Sequence, residues 1–334
     1  MRVGIVGGGI AGLGAAYTLK QHNISSIVFE RNEFCGGRCS TRTIDGYKFD
    51  QGATSIAPRG KTLEEVMLQE LDTSELVTIS RPIFVHESLR ISPGDPSKNR
   101  TVRYTYLEGN ATLPKLLSIG IDVRYGQSVV ALEKRVEGGY RILDETFDAI
   151  ILTAPSPMCQ MLLSSIGEFR SISNIYYRQC ISVMLGYRIP PPATKYHALL
   201  DVEQRHPLTW MCIESAKCEG RAPEGCTAII AQMSPQFSSM HFDSREQTIV
   251  DETTVHIQRL LGDAWNSPEV TDIKRWRWSQ PEMTAMFSSV NSKNSTLLIA
   301  GDGLMGGRVE NAFESGYRAA MLLVEQERLM DVSP

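Results

Sequence analysis

No apolar run in the 334 residues reaches the roughly 18 that a membrane-spanning helix needs, so a membrane span is not expected. Positive charge is not in excess. Lys and Arg number 34 against 38 Asp and Glu, which gives a net charge of −4 and leaves no basic field for nucleic acid or anionic lipid. The seven cysteines are odd in number and irregular in spacing, which excludes a disulfide framework and suits reduced thiols in the cytoplasm. Cys212, Cys218 and Cys226 lack CxxC spacing and a nearby histidine cluster, so no metal site is expected. Six scattered histidines support no nucleophile–base triad. No removable leader is expected, because glycines interrupt the first apolar residues and a buried strand from Val3 leaves no room for one. What remains, 42% hydrophobic and 22% charged, is ordinary globular material long enough for about two domains.

The first thirty residues carry most of the information. An apolar run, Val3 to Val6, enters Gly7-Gly8-Gly9-Ile10-Ala11-Gly12; a helical pattern follows through Leu19, and a second apolar run ends in Glu30. Strand, glycine turn, helix, strand and terminal acid is the spacing of an adenine-dinucleotide site. Gly7 allows the tight turn, Gly9 lets backbone approach a diphosphate, and Gly12 lets the helix, entered through Ala11, pack closely on the strand. The helix N-terminus offers free N–H groups to the phosphates, and Glu30 offers acceptors to ribose hydroxyls.

Organisation along the chain is discontinuous. Residues 61–72 have helical periodicity, while 76–79, 83–85 and 102–107 read as strands. Further strands are expected at 122–125, 128–134 and 140–143, and a doubly buried one at Ala149–Thr153. The block 158–285 alternates strands (182–187, 209–213, 227–232) with a helix near 246–261. Thr296–Ala300 is another buried strand, and 311–329 a closing helix. The expected fold is α/β. A discontinuous Rossmann-like FAD-binding domain of the glutathione-reductase type (1–58, 108–157, 286–330) receives an inserted α+β substrate domain (59–107, 158–285) on a mostly antiparallel sheet.

Several downstream segments extend the fingerprint. Glu30-Arg31 is followed by Gly36-Gly37-Arg38 and then Asp50-Gln51-Gly52-Ala53; far downstream lie Ala300-Gly301-Asp302 and Glu310-Asn311-Ala312. Together these resemble the flavin amine oxidase superfamily, and the Gly-Gly-Arg-Val-Glu run is most similar to bacterial renalase-like members. The resemblance implies FAD as cofactor. It covers roughly the first 55 residues, the 110–155 region and the last 40, and no motif of the middle block is recognisable. Gly37 lets backbone pass close to the ligand, and Arg38 can neutralise the diphosphate, with Arg42 a second candidate. Gly52 and Ala53 are small where the isoalloxazine edge would sit. By resemblance, Val129 or Val130 would bring a backbone amide to the adenine, and alternation does not choose between them. Asp302 could hold a ribityl hydroxyl, reach the phosphates through water, or simply cap a helix. The amides of Glu310, Asn311 and Ala312 would face the flavin N1–C2=O, where negative charge accumulates on reduction. The resemblance implies a non-covalent flavin, since cysteinyl flavins in the monoamine oxidase branch use a late cysteine and none follows Cys226 here. Cys35 and Cys39, which flank the glycine pair, read first as buried thiols.

The substrate is less legible. Where amine oxidases of this superfamily place an aromatic ring, two residues before the acid of the C-terminal motif, this chain has Arg308. A cation facing the flavin would repel an ammonium and attract a carboxylate or phosphate, although Arg308 could equally turn to diphosphate or solvent. Trp276 and Trp278 alternate as on a strand, so both rings are expected on one face, as pocket wall or as core. The expected chemistry is hydride transfer from a small organic donor to flavin N5, with O2 or another acceptor taking the electrons. By the renalase resemblance the donor would be a dihydronicotinamide isomer. The alternatives are an amine oxidase, an FAD-dependent dehydrogenase or desaturase of a hydrophobic ring substrate, and a non-catalytic dinucleotide-binding module.

Overall fold

The computed structural model describes residues 1–87 and 90–332. The first apolar run becomes strand β1 (Arg2–Val6) and the second β2 (Ser25–Phe29), paired in parallel in one sheet with β9 (Asp122–Arg124), β13 (Ala149–Leu152) and β19 (Leu297–Ile299). The order is β19-β13-β1-β2-β9, so segments distant in sequence lie side by side. The registers place Val6 beside Phe29 and Leu152, and Leu152 beside Ile299. The glycine turn, Glu30 and Gly301-Asp302 therefore all leave the sheet at its carboxyl edge, where ligands of open α/β sheets bind.

Two helices cross on one face of this sheet. The opening helix, Ile10–Gln21, packs against the closing helix, Val309–Val332, through small residues. A Cβ on Gly316 would lie 2.0 Å from the Ala11 carbonyl oxygen, so only glycine permits this approach. Val3, Ile5, Ala15, Leu19, Leu298, Ala319 and Leu323 fill the space between helices and sheet.

A second sheet has seven strands in the order β18-β14-β17-β16-β15-β6-β7. These are β6 (Ile83–Glu87), β7 (Arg90–Ser92), β14 (Tyr176–Tyr187), β15 (Ala198–Leu200), β16 (Leu208–Ile213), β17 (Thr227–Met233) and β18 (Val270–Met283). The sheet is mixed, with five of its six pairings antiparallel and one parallel. β6 runs parallel to β15 because it arrives from a distant stretch of chain rather than through a hairpin. One face packs on the helix Glu246–Leu261 through Ile249, Val250 and Ile257. The other meets the hairpin of β3 (Thr41–Ile44) and β4 (Tyr47–Asp50).

Smaller pairings complete the molecule: β5 (Leu76–Thr78) with β8 (Tyr104–Tyr106), and β10 (Glu133–Lys134), β11 (Tyr140–Ile142) and β12 (Glu145–Phe147) in a meander. The strand expected at 128–134 is reduced to β10. Val129 and Leu132 are its buried positions, a spacing of three that matches no strand face. The helical pattern of 61–72 is an α-helix over Lys61–Glu65 that widens to a π-helical turn over Val66–Glu70. Among the described residues no helix is long and apolar enough to cross a membrane, and no group of three or more His, Cys, Asp or Glu could hold a metal ion.

Candidate cofactor and active site

Gly7 adopts φ +112°, a conformation that side chains rarely tolerate, and turns the chain from β1 into the helix. A Cβ on Gly12 would stand 1.9 Å from the Gly7 carbonyl oxygen, so this position has room for glycine alone. Gly9 differs, because a Cβ there would meet no atom within 4 Å. Its flank is open, as a site for a bulky ligand requires. The loop after β2 folds back beside it: Gly36 N–H donates to Gly8 O at 2.8 Å, and a Cβ on Gly37, which is exposed at φ +57°, would come within 3.6 Å of the Gly9 Cα. Glu30 is buried under the turn, where Oε2 accepts from Gly8 N–H at 2.8 Å and Oε1 from Asn32 N–H at 2.9 Å. Arg31 beside it is exposed.

The third component comes from the far end of the chain. Arg38 forms a two-pronged ion pair with Asp302, at 2.6 Å and 2.7 Å, and donates to Ser279 O at 2.9 Å. Burial opposes its charge, but Asp302 outweighs burial and raises the Arg38 pKa. Tyr177, whose own pKa is raised by burial, also reaches Asp302, at 3.5 Å. Gly52 packs so tightly on Arg38 that a Cβ would sit 2.0 Å from its carbonyl oxygen, which also accepts from Ala53 N–H at 2.9 Å. Gly37, Arg38, Gly52, Ala53 and Asp302 are thus joined by direct contacts.

Family comparison agrees with this assembly. Residues 5–71 match the model of the NAD(P)-binding Rossmann-like domain, and residues 86–324, well over half the chain, match that of flavin containing amine oxidoreductases. The chain belongs to the flavin-containing amine oxidoreductase family. Among curated relatives, phytoene desaturase of Neurospora crassa is 28% identical over 176 residues, a stretch covering 50% of this chain and 28% of that protein. Two solved structures share the fold. One, from Exiguobacterium sp. 255-15 and ascribed to the protoporphyrinogen oxidases, has a TM-score of 0.78 at 15% identity, over 97% of this chain and 99% of that one. The other, cyclohexylamine oxidase from Brevibacterium oxydans IH-35A, has 0.76 at 12%, over 98% and 99%. Identities this low establish the fold alone.

In this member of the family the structure sorts the remaining candidate residues. Val129 is buried in the core while Val130 is exposed, and neither backbone N–H has an acceptor among the described residues. Glu310 lies in the first turn of the closing helix, but its carboxylate accepts from the backbone N–H groups of Arg59 and Gly60. Asn311 donates to Met305 O at 2.9 Å, and Ala312 packs into the helix contact. Arg308 is exposed, and its guanidinium has no bonding partner among the described residues. Arg42 pairs with Asp272 on β18. Cys35 and Cys39 are buried, and burial pushes the Cys39 thiol far up.

Trp276 and Trp278 do not form the shared wall that strict alternation predicts. Between two successive register points β14 advances from Arg178 to Cys180 while β18 moves from Gln280 to Trp276, so extra residues bulge between them. Trp276 Nε1–H donates to Gln51 O at 3.0 Å and Ser182 Oγ at 3.2 Å. Trp278 instead packs on the core that contains Tyr177 and Leu304. The same bulge brings Ser279 O to Arg38.

One cluster joins residues that the sequence keeps far apart. Asp50, Glu214, Lys217 and Arg221 meet with no exposed side-chain surface: Lys217 Nζ lies 2.6 Å from both carboxylates, and Arg221 lies 2.9 Å from Asp50. Burial alone would raise the Asp50 pKa, but Lys217 and Arg221 outweigh it and hold that carboxyl below its usual range. For Glu214 burial wins, and its pKa is raised. Lys217 also donates to Thr54 O at 2.8 Å, which ties the Gln51–Thr54 segment to the second sheet. The signal available in sequence was Glu214, Lys217 and Arg221 at helical spacings, with nothing to indicate that Asp50 would join them.

Proposed function

We propose that the chain is an FAD-dependent oxidoreductase that moves a hydride from a small organic donor to flavin N5 and passes the electrons to O2 or another acceptor. The observation that carries this reading is the open flank at Gly9, bordered by Gly37 and by the Arg38–Asp302 pair. The residues present fit the cofactor. Gly9 and the first amides of the opening helix would take the diphosphate, and Glu30 the ribose hydroxyls. The free N–H of Val129 or Val130 would take the adenine. Arg38, anchored by Asp302, would supply the positive charge, and Asp302 would take a ribityl hydroxyl. The amides of Glu310 and Asn311 in the first turn would favour negative charge at N1–C2=O, whereas that of Ala312 already donates to Arg308 O at 3.0 Å. When bound, the isoalloxazine supplies the hydride acceptor; the protein supplies position and electrostatics.

The flavin is held without a covalent bond in this reading. Six of the seven cysteines are buried, and Cys218, the least buried, bonds to Arg221 of the charge cluster. Residues 59–107 and 158–285 act as the substrate domain. We place the chain nearest the renalase-like branch, with a dihydronicotinamide isomer as donor, because the exposed and unpaired Arg308 suits an anion better than an ammonium. The likeness to phytoene desaturase favours a second reading, desaturation of a hydrophobic substrate. Anaerobic stopped-flow reduction of the yellow protein decides between them. Rapid bleaching by dihydronicotinamides supports the first reading, and bleaching by benzylamine-type donors alone overturns it. A colourless protein that takes up no FAD would reduce the chain to a dinucleotide-binding module.

A further inference from the structure

The face of the seven-stranded sheet that meets β4 changes character along its strands. At one end Met184, Ala228, Ile230, Cys212 and Ala198 pack on Tyr47 and Phe49. Two residues further along each of β14, β17 and β16, and therefore on the same face, the sheet becomes polar. The registers Trp210↔Gln232, Gln232↔Ser182 and Ser182↔Lys274 set four side chains in one row across β16, β17, β14 and β18. This row is level with the place where β4 gives way to Gln51-Gly52. Gln232 Nε2–H donates to Gly52 O at 2.7 Å, and Trp276 links Ser182 to Gln51 O.

Two groups in the row have unused bonding capacity. Trp210 Nε1 is buried without an acceptor. Lys274 Nζ rests 5.2 Å from the centre of the Trp276 ring and has no carboxylate partner among the described residues. The nearest acid on its own strand face, Asp272, is already engaged by Arg42. An ammonium held over an aromatic ring, with no counter-ion, is a charge available to a ligand.

We propose that this polar row is the wall that reads the substrate and that Lys274 binds a carboxylate or phosphate group of an anionic donor. The inference rests on the reading that places the flavin beside Gln51–Ala53, and it assigns specificity to the second sheet rather than to Arg308 alone. The anionic group sits at the Lys274 end of the row, where the ammonium lies over the Trp276 ring.

The test uses the yellow holoprotein and the perturbation of its flavin spectrum on titration with benzoate, neutral benzamide and cationic benzylamine. Benzoate should bind at least tenfold more tightly than benzamide, and benzylamine more weakly still. Lys274→Met should weaken benzoate by about 10- to 100-fold, the loss expected for a charged hydrogen-bond partner, with little change for benzamide. Lys274→Arg should restore most of the benzoate affinity. Lys274 is exposed, so these variants are expected to fold, and an unchanged flavin content verifies it. Equal affinity for benzoate and benzamide, or benzoate binding untouched by Lys274→Met, overturns the proposal while leaving the flavin reading intact. Failure to bind flavin at all overturns both.

Discussion

Replacing Lys217 with Met tests how the cofactor segment is fastened to the second sheet. The change keeps a side chain of similar length and removes one ammonium that touches two buried carboxylates, each at 2.6 Å. With an effective dielectric constant near 20, each contact is worth roughly 6 kcal/mol of Coulomb energy, most of it offset by the cost of taking the ions out of water. Removal of one partner strands the others, and breaking a buried pair in this way costs about 3–5 kcal/mol. Typical domains have only about 5–15 kcal/mol in total. Lys217→Met should therefore shift the urea midpoint by a large fraction of its value and, because Thr54 O loses its donor, loosen flavin retention. The Asp50→Asn/Lys217→Met double variant removes a stranded charge and should be less destabilised than the two single losses summed, by about 1–3 kcal/mol. Urea titrations of the four proteins, followed by circular dichroism, measure this directly. A loss below about 1 kcal/mol for Lys217→Met, or strict additivity in the cycle, would refute the reasoning.

Gly12→Ala should yield protein with little bound flavin and lower stability, read from absorbance ratio and melting temperature, because its Cβ would collide with Gly7 O at 1.9 Å. Gly316→Ala, whose Cβ would meet Ala11 O at 2.0 Å, should cost about 1–3 kcal/mol by forcing the two long helices apart, as a denaturant titration would record. Asp302→Asn should speed flavin dissociation measured by dilution, since Arg38 loses its two-pronged partner; an unchanged off-rate would remove the ion pair from the cofactor site. Acid should weaken the fold early. Burial pushes the His197 pKa down to about 4, so the unfolded chain binds a proton that the folded chain refuses. Stability is then complete above the unfolded value near 6.5 and falls as pH drops toward 4, by roughly 3 kcal/mol for this group; Phe at 197 should flatten that slope in pH-dependent melting curves.

Local chemistry is what the sequence determined. Gly7 and Gly12 are legible because a tight turn and a close helix contact leave no alternative residue, and Glu30 because it ends a periodic strand at a fixed distance from them. The doubly buried runs at Ala149–Leu152 and Leu297–Ile299 are legible because strands covered on both faces are apolar throughout. Where a pairing depends on chain from elsewhere, sequence was silent. Nothing in the order of residues indicates that Arg38 meets Asp302, that Asp50 meets Lys217 and Arg221, or that Glu310 serves the Arg59–Gly60 amides. The alternation of Trp276 and Trp278 misled for a related reason, since a bulge is set by what the neighbouring strand requires. Periodicity and turn chemistry act over a few residues, whereas burial of opposite charges and cross-strand register are decided only when remote segments compete for the same space.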